Sequence, residues 1–133
     1  MDFINMILIF LVYKDLALLF LRLSMAWIFL AHGWPKLKDL KTTAANFNMM
    51  GFKPGRLWGT YVALLETAGA LMLILGVGTQ IAAFLFAGEM AVAAVWKKIK
   101  GQNLAGGYEL DLLLVAASLV LATSGGGIFA LLF

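Results

Sequence analysis

Arg22, Glu66 and Glu89 stand inside long apolar stretches, while His32, Lys36, Glu109 and Asp111 lie near the ends of such stretches. These side chains carry charge and move protons. A charge at membrane depth costs roughly 3 kcal/mol even on insertion scales. A chain that keeps three of them there has a structural or a chemical reason. The structural one is a buried clamp, in which Arg22 pairs with Glu66, and with Glu89 as a further partner, to fix helix register. The chemical one is a polar cleft that holds a ligand head group or relays protons. One arginine cannot neutralise two carboxylates, so desolvation should keep one carboxyl protonated near neutral pH, the state a relay uses. A clamp can also line a site, so the two readings overlap.

Other chemistries find little support. His32 is the single histidine, so a haem held between two histidines is impossible within this chain. Met25 and His32 are two helical turns apart, about 10 Å, and cannot share one iron. One histidine and scattered carboxylates make a poor metal site, and none is expected. There is no cysteine, which excludes disulfide, thiol and iron–sulfur chemistry within the chain. Gly125-Gly126-Gly127 has no lysine or hydroxyl partner of the phosphate-cradling kind. With no nucleophile–base pair either, catalysis by this chain alone is not expected.

The elements that carry these groups follow from composition. The 133 residues are 63% hydrophobic and 13% charged, with mean hydropathy +0.96, outside the range of soluble domains. Spanning blocks run from about Leu16 to Trp34, Leu57 to Leu75, Val77 to Trp96, and Leu110 to Thr123 or beyond. The first three have roughly 19–20 residues, about 29 Å, which matches the hydrocarbon thickness. Pro35 is expected to close the first helix, and the Gly76–Gln80 link is short enough to force an antiparallel hairpin. The fold expected is all-α: an integral-membrane, four-helix antiparallel bundle with a short helix in the first loop. Thr42 or Thr43 would cap that short helix and Gly51 would stop it, with an ordinary surface loop as the alternative. Phe3 to Tyr13 is too short to span. It reads as an interfacial segment or an extension of helix one, and lacks the basic start and cleavage site of a signal peptide.

Lys36, Lys38, Lys41, Lys53 and Arg56 lie in the first loop and Lys97, Lys98 and Lys100 in the third, against Lys14 alone on the other side. That bias puts loops one and three in the cytoplasm and the termini outside. It also explains the +3 net charge as membrane topology rather than affinity for nucleic acid, which is not an expected partner. Trp34, Trp58, Trp96 and Tyr108 form the matching aromatic belt. From the basic face inward, Lys36 and Glu109 lie at the mouth and are expected to pair, with His32 and Asp111 just inside. Glu89 follows at about 10 Å, Glu66 at about 13 Å and Arg22 at about 18 Å. Stripes of small residues, Gly59-Ala63-Thr67 and Ala83-Ala87-Ala91, would bring helices close and aim the neighbouring carboxylates into the bundle.

Arg22, His32-Gly33-Trp34-Pro35-Lys36, Glu66-Thr67-Ala68-Gly69, Gly88-Glu89-Met90-Ala91-Val92-Ala93 and Gly107-Tyr108-Glu109-Leu110 together resemble the DoxX family in order and spacing. The resemblance runs from about Leu16 to Gly127. It divides the chain into an apolar extension (residues 1–15), the membrane domain (16–127) and an apolar tail (128–133). It implies a multi-pass protein of the prokaryotic cytoplasmic (inner) membrane and an accessory or anchor subunit of a quinone-linked oxidoreductase or respiratory complex. Arg22 would then meet a quinone oxygen, with Glu66 and Glu89 handling protons and His32, Lys36, Glu109 and Asp111 as further candidates. No covalent cofactor is expected, and a quinone is the candidate ligand. Expected partners are membrane lipid, redox-protein subunits and other copies of the chain. A scaffold with purely structural charges, or a small oligomeric transporter, are the alternatives. The chain departs from the family pattern at its end, where Gly125–Phe133 replaces a polar finish.

Overall fold

The computed structural model describes residues 1–132, and these fold into six helices. They are α1 (Phe3–Val12), α2 (Lys14–Lys38), α3 (Leu40–Met50), α4 (Gly55–Leu75), α5 (Thr79–Ile99) and α6 (Glu109–Ser124). A wide turn, Leu104–Tyr108, leads into α6. Helices α2, α4, α5 and the stretch Leu104–Ser124 are each long and apolar enough to cross a membrane. The protein is a multi-pass membrane protein.

Its surface fits that solvent. Phe20, Trp27, Phe84 and Leu113 are each at least 65% exposed, yet they lie mid-helix where water would be unfavourable and acyl chains are not. The internal core is correspondingly narrow. Met25, Ala26 and Phe29 of α2 meet Ala70 and Leu73 of α4, with Ala82, Ala83 and Phe86 of α5 beside them. Phe29 and Phe86 stack with centroids 3.7 Å apart and planes 12° from parallel. Gly69 makes room for that ring, since a Cβ there would lie 2.6 Å from Phe86 Cζ.

The helices pack as two pairs, α2 on α4 and α5 on α6, while α2 scarcely meets α6. The α4–α5 turn holds the two pairs together at one end. Gly76 and Gly78 both take left-handed backbone there, at φ 71° and 63°, so a three-residue reversal is possible. At the other end α4 and α5 part.

Several boundaries differ from the expectation. Pro35 does not close α2, which runs on to Lys38. A proline removes its own N–H bond and crowds the carbonyl four residues back, yet the helix continues for one further turn beyond it. The short helix of the first loop forms, but Asp39 caps it rather than Thr42 or Thr43. The Asp39 carboxylate accepts from Thr42 N at 3.1 Å and Thr42 Oγ1 at 2.8 Å. Thr43 instead turns its hydroxyl back to Lys36 O and Asp39 O, tying α3 to the end of α2. Gly51 stops α3 in left-handed backbone, as expected.

Helix α1 is separated from α2 only by Tyr13 and has no buried residue. The tail does not trail away from the bundle. Leu132 N donates to Gly76 O at 2.8 Å, and Leu132 O accepts from Gly78 N at 3.0 Å. The chain after α6 thus folds back over the closed end of the bundle. Phe133, the last residue of the expected tail, lies outside the described residues.

Candidate functional site

The parting of the helix pairs leaves a cleft of about 1070 Å³ at the end carrying the basic loops. Its floor includes Phe29, and its walls come from α2, α4, α5 and α6. Helix α3 crosses the mouth. Phe47 and Met50 of α3 line the cleft, and Trp96 of α5 donates its indole N–H to Met50 O at 3.0 Å. On the near side α3 rests on α4 through glycines. Gly55 N donates to Asn48 Oδ1 at 2.8 Å, and Gly59 faces Thr43. Phe84, Val92 and Tyr61 line the cleft and are also exposed, so it communicates with the surrounding lipid.

Of the seven candidate residues, His32, Lys36, Glu66, Glu89 and Asp111 come together in this cleft. Lys36 Nζ lies 2.7 Å from Glu66 Oε2. Gly33, one turn before Lys36, makes this pair possible. A Cβ on Gly33 would stand 2.5 Å from Glu66 Cβ, so only glycine lets α4 approach so near. The carboxylate of Glu66 is then buried, with 4% of its side chain exposed, and the lysine stem runs inward to meet it. A second pair, Lys97 Nζ to Asp111 Oδ2 at 2.7 Å, joins α5 to α6. Lys97 was absent from the candidates. The signal for it was present: the two residues flank the last loop of an antiparallel hairpin, at one depth.

Glu89 is different. Both of its carboxyl oxygens are buried and, among the described residues, no cation or N–H group meets them; the Glu66 carboxyl is the ionisable neighbour. It is thus a carboxyl in a largely apolar cleft, with the two lysines of the cleft bound to other acids. An unpaired polar group in such surroundings is costly and usually has a ligand or a proton to hold.

Two expected pairings do not form. Arg22 meets neither Glu66 nor Glu89 and is not among the residues lining the cleft. Its guanidinium donates from Nη1 to Gly126 O at 3.1 Å and from Nη2 to Phe129 O at 3.4 Å. The chain places it beyond the Phe29–Phe86 floor, where it binds the returning tail, and Lys36 takes the carboxylate instead. Lys36 does not pair with Glu109 either. Glu109 is exposed and accepts from Gly106 N at 2.9 Å, bracing the turn before α6. The expected ladder is therefore split into a charged cleft at one end and an arginine latch at the other.

Gly126 and Gly76 shape that latch, because a Cβ on Gly126 would lie 2.9 Å from Arg22 Nη1 and one on Gly76 would lie 2.7 Å from it. Asp15 completes it by accepting from Ile128 N at 3.1 Å. Thr79 adds a buried hydroxyl nearby.

Comparison with known proteins agrees with this architecture. The profile of the DoxX family matches residues 17–98, from Ala17 in α2 to Lys98 in α5. The chain is 32% identical over 124 residues to an "Uncharacterized protein" of Haemophilus influenzae, covering 90% of each chain. It is 29% identical over 117 residues to "Putative oxidoreductase CatD" of Bacillus subtilis, covering 88% of this chain and 85% of that one. No solved structure matches it significantly.

Proposed function

The chain belongs to the DoxX family, and from its cleft we propose that it serves as an integral-membrane accessory or anchor subunit of a quinone-linked oxidoreductase, binding a quinone head group between its helix pairs. The observation that carries this reading is the unpaired Glu89 carboxyl in an apolar cleft that opens to lipid. A membrane-dissolved ligand with an aromatic ring and polar oxygens fits that combination. The volume, about 1070 Å³, lies just above the range of small-molecule sites, roughly 300–1,000 Å³. The likeness to a protein described as an oxidoreductase gives this reading its redox side.

The residues divide the work. A bound quinone would supply two-electron, two-proton chemistry. Glu89 holds a proton at its carboxyl and can give it to, or take it from, a ligand oxygen. The Lys36–Glu66 pair stands beside that group, joined by a short bond of 2.7 Å. Phe29 offers an apolar surface, and Trp96 holds the α3 roof in place. Lys97 and Asp111 stand in the same cleft and join its α5 and α6 walls. Arg22 has no part in this site and acts in holding the tail. With the basic loops inward, the cleft would face the cytoplasm.

Gentle extraction from native membranes, followed by identification of partners and extracted quinone, tests the proposal. Co-purification with a redox protein and quinone is expected. A chain recovered alone and free of quinone would favour a purely structural role.

A further inference from the structure

The charges of the cleft do not balance. Lys36 is paired with Glu66 and Lys97 with Asp111, which leaves Glu89 as a third carboxyl with no cation assigned to it. Glu66, bound to Lys36, is the charged neighbour of Glu89, and His32 and Tyr61 are the remaining titratable groups of the lining, both exposed. A site at membrane depth tolerates net charge poorly. One positive charge is therefore needed at Glu89, and two kinds of species can bring it: a proton, or a cation that has partitioned from the lipid.

The walls favour such a cation. Phe29, Trp58, Tyr61, Phe84 and Trp96 all line the cleft, and aromatic faces attract desolvated cations. A buried carboxyl with no cation of its own, set among aromatic rings, recognises a monovalent cation with an apolar body, and the two engaged lysines do not oppose it with free charge. The lipid-exposed positions of Phe84, Tyr61 and Val92 give that cation a lateral route from the bilayer.

We propose that this cleft also binds lipophilic monovalent cations, such as hydrophobic amines or phosphonium ions, with Glu89 exchanging its proton for the bound cation. The exchange is charge-balanced: one cation enters as one proton leaves the carboxyl, and no bond other than O–H is broken. It uses the same cleft as the quinone reading but does not depend on it, since it requires no redox partner.

The test is equilibrium binding of tetraphenylphosphonium to the purified full-length protein in detergent micelles. Saturable binding of one cation per chain is expected, weaker in acid than in alkali, because protons compete for Glu89. Glu89→Gln should weaken it about thirtyfold or more, the loss expected when a desolvated charge contact is removed. Glu89→Asp should keep part of it. Gly88→Leu provides a second variant, because Gly88 lines the cleft and a Cβ there meets nothing within 4 Å. It should fill space without disturbing the helix and weaken binding. Absence of saturable binding by folded protein, or equal affinity in Glu89→Gln and wild type, would overturn the proposal. Quinone recovered from a chain that binds no cation, or the reverse, shows which of the two readings has failed.

Discussion

Lys36 Nζ and Glu66 Oε2 are 2.7 Å apart across the α2–α4 contact, and Gly33 lets the two helices approach closely enough for that bond. Removing the lysine alone strands a buried carboxylate. Lys36→Met should therefore destabilise the bundle by about 3 kcal/mol, and Glu66→Gln added to it should recover much of the loss. Unfolding of the purified single and double variants in detergent measures both. Equal damage in the single and double variants would mean that the pair does not hold the helices.

Gly33→Val tests the same contact through packing. The new side chain would push into Glu66 Cβ and the Thr67 backbone nitrogen. Overpacking of this kind costs about 1–3 kcal/mol. The variant should unfold more easily and lose cleft binding together, since Glu66 would be displaced. Gly88→Leu, by contrast, should lose binding while keeping wild-type stability.

Arg22→Met is expected to free the tail. The carbonyls of Gly126 and Phe129 would lose their donor, and the chain from Gly125 onward should become more susceptible to protease. Binding at the cleft should be unchanged, because Arg22 lies on the far side of the Phe29–Phe86 stack. Protease mapping beside a ligand-binding assay separates this from a role of Arg22 in the site.

The cap of α3 gives a pH dependence. Thr42 donates twice to Asp39 and holds its carboxyl below its ordinary value of 3.8. A depressed carboxylate contributes fully above that ordinary value and loses its contribution as pH falls through the lower, folded value. Protection of the Thr42 amide, taken relative to its intrinsic exchange rate at each pH, should therefore be high at neutral pH and be lost only as pH falls below 3.8. Asp39→Ala should show low protection at all pH values.

The spans, the tight α4–α5 hairpin and the helix of the first loop were legible because apolar length and glycine punctuation act locally. The partners of the buried charges were not. Depth counted along each helix puts Lys36 at the mouth and Arg22 near Glu66, but it treats a side chain as a point beside its Cα. The lysine stem reaches inward to Glu66, and helix rotation turns Arg22 toward the tail. Neither rotation nor neighbour choice is carried by spacing alone. The glycine run after α6 carries no phosphate-cradling partner and no other local signal. Its role as a turn supplying carbonyls to Arg22 depends on contacts more than a hundred residues apart. Gly33 was the one local sign of the Lys36–Glu66 contact, since a glycine inside an apolar helix commonly marks a close approach.

Photolabelling with a quinone analogue, mapped by mass spectrometry in native membranes, tests the central claim most directly. The account predicts label on cleft residues of α5 such as Met90 and Val92, reduced by Glu89→Gln and by excess unlabelled quinone. Label confined to the outer lipid-facing groove of α4, around Arg56, Leu57 and Leu64, and indifferent to Glu89→Gln, would contradict it.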